Sequence, residues 1–121
     1  MAKKVYVLSI EKEEQSLKLI VDESIRFINA EAKGQMLVDS DQFAFVYIIE
    51  MDGEYTYIVL KEEYWPMLKE ALDESLSAFL FNQSEELPLP MFNEELEYLI
   101  GNIKGNSNYG EAMVEKVETT F

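Results

Sequence analysis

Apolar and polar positions alternate with a period of two through the first half of the chain and change to a helical spacing in the second. Val5 to Ile10 is a short apolar run that meets the charged corner Glu11 to Gln15, and Ser16-Leu17-Lys18-Leu19-Ile20-Val21 then alternates as far as Asp22. The two runs predict a hairpin. Ser24 to Asn29 alternates again and predicts a third strand whose register stays open, because Arg26 sits between Ile25 and Phe27. Between Ala30 and Gln42 the pattern dissolves into a polar connector with turn residues at Gly34, Asp39 and Asp41.

Phe43 to Ile49 is apolar at every position, which suits a central strand covered on both faces. Asp52-Gly53 follows, the pair that accepts the positive φ values of a two-residue type I′ turn, and Tyr55 to Leu60 returns. With those two residues as the loop, Met51 faces Glu54, Ile49 faces Thr56 and Tyr47 faces Ile58.

Trp65, Leu68, Ala71 and Leu72 recur at helical spacing, and Pro66 is tolerated in a first turn. Leu76 to Phe81 is a further strand. Pro88 and Pro90 hold the next segment extended. Asn93 reads as the cap of a helix with Glu94 and Glu95 in its first turn and Leu96, Leu99, Ile100 and Ile103 as its buried stripe. Gly105 is a left-handed stop, and Asn108 with Glu111 has the spacing of a capping box for a last helix carrying Met113, Val114, Val117 and Phe121.

These readings predict one α+β domain over residues 1–121: strand-rich over 1–60, helical over 63–74, a strand over 76–81, a linker over 84–92, and helices over 93–104 and 108–119. The architecture expected is an antiparallel sheet, or a partly open barrel, of about six strands, with one helix inserted before the last strand and two helices after it.

Composition narrows the chemistry more than the fold. A chain of 121 residues that is 48% apolar buries roughly two-thirds of its extended surface in one core and needs no covalent staples. It has no Cys and no His, so disulfides, thiolate nucleophiles, imidazole bases and ordinary zinc sites are excluded. A formal net charge of -14 opposes nucleic acid and anionic membrane as partners and favours a basic protein. No apolar run approaches the roughly 20 residues that span a bilayer, and cysteine-free composition fits a cytoplasmic location. No cofactor is expected.

Three constellations remain. Asp39 and Asp41 form a weak oxygen-ligand pair for a divalent metal, but Phe43 and Ala44 occupy the places where a calcium loop needs further ligands. Gly105 to Gly110 has the glycines of a phosphate cradle without its Lys, and helix capping accounts for it more economically. Tyr47, Tyr55, Tyr57, Tyr64 and Trp65 lie close together in sequence, Tyr55 and Tyr57 on one strand face; with Asn108 and Tyr109 they are the binding candidates. No catalytic residue is nominated.

The segment Met36 to Asp41, the Trp65 helix, and Glu95-Leu96-Glu97-Tyr98-Leu99-Ile100 through Gly105-Asn106-Ser107-Asn108-Tyr109-Gly110-Glu111 resemble an uncharacterised family of small acidic cytosolic proteins from Bacillus-like bacteria. The likeness spans roughly the last two-thirds of the chain. It implies a cellular setting, and the family has no assigned activity to carry over.

The function expected is non-catalytic protein binding or an adaptor role, with exposed tyrosines beside Glu62, Glu63, Glu94, Glu95 and Glu97. One alternative is an acidic inhibitor, immunity-type protein or nucleic-acid mimic, which needs a contiguous acidic face. A second is a carboxylate or Mg-dependent hydrolase at Asp39 and Asp41. A homodimer through an exposed strand edge is compatible with the pattern.

Overall fold

The computed structural model describes residues 3–121. The first apolar run is two strands, β1 (Lys3–Tyr6) and β2 (Ser9–Lys12), because its alternation slips by one residue. Val5 and Val7 are buried, Leu8 is 57% exposed, and Ile10 is buried again. The chain changes sheets at that slip: the Val7 N–H donates to Val59 in one sheet and the Leu8 N–H to Ile20 in the other. The Tyr64 hydroxyl holds the corner by donating to the Leu8 carbonyl at 2.6 Å.

The first sheet has the order β1-β6-β5-β4, with β4 at Ala30–Asp39, β5 at Ala44–Met51 and β6 at Glu54–Lys61. The second has the order β2-β3-β7-β8, with β3 at Ser16–Ile20, β7 at Ser77–Phe81 and β8 at Glu86–Pro88. The α+β class is therefore as expected, but among the described residues eight strands in two open mixed sheets replace the single antiparallel sheet or barrel of about six. Two pairings are parallel, β1 with β6 and β3 with β7. Both join segments far apart in sequence, which a local periodicity does not report.

The β5–β6 hairpin has the predicted turn, with Asp52 at φ 52° and Gly53 at φ 78°, and the predicted pairs Met51–Glu54, Ile49–Thr56 and Tyr47–Ile58. Elsewhere the elements differ. Ser24 to Asn29 is not a strand but a loop pinned from outside: Asn82 donates to the Ile25 carbonyl, and both the Phe27 N–H and the Arg26 Nε donate to Glu85. The supposed connector 30–42 contains β4, whose polar composition and irregular register between Ala32 and Met36 hide the period. Gly34, at φ 67°, lies in that irregularity. The linker contains β8, paired to β7.

Helix α1 (Trp65–Glu74) follows a short 3-10 turn at Glu62–Tyr64, and α2 spans Phe92–Ile103. The cap position of α2 is Met91, in a left-handed conformation, and not Asn93, whose amide donates to the Leu76 carbonyl instead. The expected capping box is also absent. Asn108 lies in a 3-10 turn (Ser107–Tyr109) capped by Asn106, and α3 begins later, at Glu111–Thr120. Gly105 is left-handed after α2 as expected, at φ 72°.

One core fills the space between the sheets and helices. Leu17, Leu19 and Leu80 enter from the second sheet, Phe45, Tyr47 and Ile58 from the first, and Trp65, Leu68, Leu96 and Val117 from the helices. Phe45, Trp65 and Phe121 form an aromatic group with ring centres 5.2 to 6.0 Å apart. Ala44, Val46 and Val59 form a separate cluster on the opposite face of the first sheet, with Leu37 and Tyr57 packed on it.

Candidate functional site

A cleft of about 520 Å³ lies between the end of α1 with the start of β7 and the segment that runs from β8 into α2. Two tight turns build it. Ser75 closes α1 at φ 55° and sends the chain into β7, while Met91 at φ 63° turns it from Pro90 into α2. Left-handed non-glycine residues cost about 1–2 kcal/mol each and persist only where the surroundings hold them. Here the holding contacts are specific. Asn93 Nδ2 donates to the Leu76 carbonyl at 2.8 Å and ties the two walls together; its Oδ1 is buried without a partner. The Met91 carbonyl accepts from the Glu95 N–H.

Behind the cleft the Tyr47 hydroxyl donates to the Pro90 carbonyl at 2.7 Å and accepts from the Gly34 N–H at 3.1 Å. Burial pushes its pKa up to about 12; the Gly34 donor acts the other way, and the charge of Glu95 adds to the rise. It stays protonated and donating. The Glu95 carboxylate accepts from the Met36 N–H at 3.1 Å and so is committed to β4. Glu94 and Glu97 therefore supply the acidic side of the cleft, beside an apolar lining that includes Leu72, Leu89 and Phe92. Among the described residues no Lys or Arg lines it.

A second groove, about 300 Å³, lies on the outer face of the first sheet, where Asp39, Asp41 and Lys4 border Leu37, Val46 and Tyr57. The Asp39 carboxylate accepts from the N–H groups of Asp41 and Gln42 and from the Gln42 side chain, the last contact being the main cause of its lowered pKa. Its lone pairs are thus engaged in shaping the turn before β5. Among the described residues no three acidic side chains converge in the way a metal cage requires.

The predicted aromatic set is divided by the fold. Tyr47 and Trp65 are fully buried, and the Trp65 indole donates to the Leu60 carbonyl. Tyr64 holds Leu8, with burial raising its pKa. Tyr55 is exposed and Tyr57 half-buried, on the outer face of the first sheet. Asn108 and Tyr109 lie on the turn before α3 and line neither the cleft nor the groove. Ser75 and Met91 escaped the sequence reading, and Asn93 entered it only as a helix cap, not as the tie between the walls of the cleft. The one available signal was a helix end and a Pro-Leu-Pro segment flanking the same strand.

The charged surface is interleaved rather than continuous. Lys12 bridges Glu70 and Glu74, Lys18 bridges Glu13 and Glu86, Lys69 meets Asp73, and Lys116 meets Glu62. Lys33 sits between Glu31 and Glu50. No helix among the described residues is long and apolar enough to cross a membrane.

Compared with known proteins, residues 5–121 match the model of UPF0738, a family of unknown function. A UPF0738 protein of Bacillus velezensis is 44% identical over 121 residues, covering 100% of this chain and 99% of the relative. Others, from a Geobacillus species and from Bacillus subtilis, are 42% and 40% identical, covering 100% of this chain and 98% and 99% of their own. The likeness thus extends well beyond the last two-thirds of the chain. No solved structure matches it.

Proposed function

For a chain that belongs to the UPF0738 family, whose function is unknown, we propose a non-catalytic role: binding a basic polypeptide segment in the cleft between α1–β7 and β8–α2. The observation that carries this reading is the lining of the cleft, apolar residues beside Glu94 and Glu97 with no cation among them. A Lys or Arg stem packs along such a lining while its head reaches the carboxylates. The positive end of α2 opposes a cation there, but it amounts to roughly half a charge against two full negative ones. The net charge of -14 draws a cationic partner toward the molecule and accelerates the encounter. A cytoplasmic setting belongs to this reading and rests on the cysteine-free composition.

The other two readings have less support. A nucleic-acid mimic needs an unbroken acidic face, and Lys12, Lys18, Lys33, Lys69 and Lys116 interrupt this one with ion pairs. A hydrolase at Asp39 and Asp41 needs free carboxylate oxygens, whereas Asp39 accepts three hydrogen bonds within its own turn.

Titration with an array of Lys- and Arg-containing peptides tests the proposal. The peptides that bind should lose about tenfold or more in affinity to the Glu94→Lys/Glu97→Lys variant, and no more than about twofold to Glu54→Lys/Glu115→Lys, which alters net charge equally. Equal losses in both variants would mean that overall charge alone attracts the peptides, and the cleft reading would fall.

A further inference from the structure

Gly101 is the one glycine of the chain that the backbone does not explain. Gly34, Gly53, Gly105 and Gly110 all have positive φ, whereas Gly101 lies inside α2. Among the described residues nothing stands within 4 Å of the place its Cβ would take, so close packing does not require it either. Glycine inside a helix weakens it relative to alanine. A local rule broken with no return inside the chain points to a cause outside it.

The surroundings of Gly101 say what that cause is. Each residue turns a helix by about 100°, which gathers Glu94, Glu97, Tyr98 and Gly101 on the side of α2 opposite its buried Leu96, Leu99 and Ile103. All four are exposed, and Tyr98, at 66%, is the most exposed large apolar side chain among the described residues. The missing side chain leaves a gap one turn after Glu97 and Tyr98. Glu94 and Glu97 line the cleft while Tyr98 and Gly101 do not, so the acidic wall of the cleft runs on to an open aromatic ring beside a gap. Among the described residues neither Glu94 nor Glu97 is held in an ion pair. Lys104, exposed just after α2, bounds this acidic surface.

Building on the cleft reading, we propose that the exposed face of α2 is the second half of one docking surface: the basic segment that enters the cleft continues along α2 and lays an arginine side chain over the Tyr98 ring, in the gap at Gly101. Arginine suits this place better than lysine, because a planar guanidinium stacks on an aromatic face while its edge donates to a carboxylate, here Glu97. The place is also toward the negative end of the α2 dipole, which favours a cation. From Glu94 the helix rises about 6 Å to Tyr98 and about 10 Å to Gly101, a span that an extended chain covers in about two or three residues. The segment therefore carries its two cations about two or three positions apart.

Peptides of about twelve residues, each with two arginines from one to about six positions apart in a Ser/Gly background, titrated against the full chain, test this. Affinity should peak at a spacing of about two or three and fall about fivefold when both arginines become lysine. Gly101→Ala and Gly101→Gln should each raise the folding equilibrium constant about two- to fivefold in urea denaturation, and yet weaken the best peptide about threefold and about tenfold, in order of side-chain size. Tyr98→Ala should cost about fivefold and Tyr98→Phe almost nothing, since the ring is kept. Glycine replacements that stabilise the chain and leave affinity unchanged would overturn the proposal, as would loss of stability on replacing Gly101, because the fold itself would then need the glycine. Affinity indifferent to arginine spacing, or to Tyr98→Ala, would do the same. If only Glu94→Lys/Glu97→Lys weakens binding, the cleft reading stands and this one falls; if no peptide binds, both fall.

Discussion

The hydroxyl of Tyr47 donates to the carbonyl oxygen of Pro90, 43 residues further along the chain, across a distance of 2.7 Å. The same oxygen accepts from the Gly34 N–H, so one atom of the central strand fixes both the irregularity of β4 and the strap that leads into α2. Pro90 and Met91 line the cleft. A core tyrosine therefore acts as a positioning residue for a surface that it does not touch.

Tyr47→Phe should remove both hydrogen bonds and leave the Gly34 N–H and the Pro90 carbonyl short of partners. The cost expected is about 1–3 kcal/mol, read by urea denaturation. Hydrogen exchange should separate local from global effects, with faster exchange at 89–95 than in β5 and β6. Uniform loosening of the whole domain would contradict a positioning role.

Gly34→Ala probes the other end of the same contact. At φ 67° an L side chain is strained, even though the added Cβ would stand 3.7 Å from Met91 Cγ, an ordinary contact. About 1–2 kcal/mol of destabilisation is expected from backbone strain alone. Because the cause is conformational and not steric, Gly34→Asn should cost less than Gly34→Ala, since Asn tolerates the left-handed region better.

What the sequence discloses here follows from the range of each interaction. The β5–β6 hairpin was legible to the residue pair because Asp52-Gly53 and a period of two are local signals. The division of the first strand was also written in the chain, as the slip between Val7 and Ile10, but a single slip in a short apolar run is easily read as a continuous strand. β4 was missed because its stability comes from its partners: Tyr47 and Glu95 bond its backbone, while its own composition has little strand character. Ser24 to Asn29 was overread, since its alternation reflects burial of Phe27 under a loop and not pairing. The cleft was illegible as a site because 72–79 and 88–97 meet only in three dimensions, and the acids Glu94 and Glu97 could be named without being placed.

Phe121 packs edge-on against Phe45 and at a tilt of 42° against Trp65, each at 6.0 Å between ring centres, although it lies just beyond α3. Phe121→Ala should cost about 2–3 kcal/mol, below the 3–5 of a fully buried phenylalanine because the ring is half-exposed. Trp65 fluorescence reports the change directly: emission should shift to the red and become more accessible to iodide as its covering ring is lost. Unchanged emission would show that α3 does not seal the tryptophan through this residue.

The last prediction concerns acid. The Glu85 carboxylate receives the Arg26 Nε, the Asn82 side-chain amide and the Phe27 N–H, and these contacts, Arg26 first, bring its pKa from the ordinary 4.5 down to about 2. A carboxyl whose pKa is lower in the folded state contributes stability that is fully present above its unfolded value and is lost as the pH falls through the folded one. The window therefore runs from about pH 4.5 to about pH 2. Other carboxylates change the slope in the opposite sense, because protonating them relieves the repulsion of a chain with net charge -14. The measurement that isolates the latch is accordingly a difference: the stability of the parent minus that of Glu85→Gln, by urea denaturation from pH 6 to pH 2.5. That difference should be constant above about pH 5 and shrink steadily below it. Since Glu85 anchors the 24–29 loop through Phe27 and Arg26, the protection of the Phe27 amide, its exchange rate relative to the intrinsic rate at the same pH, should fall over the same interval, whereas a pH-independent difference would mean that Glu85 holds the loop by shape alone.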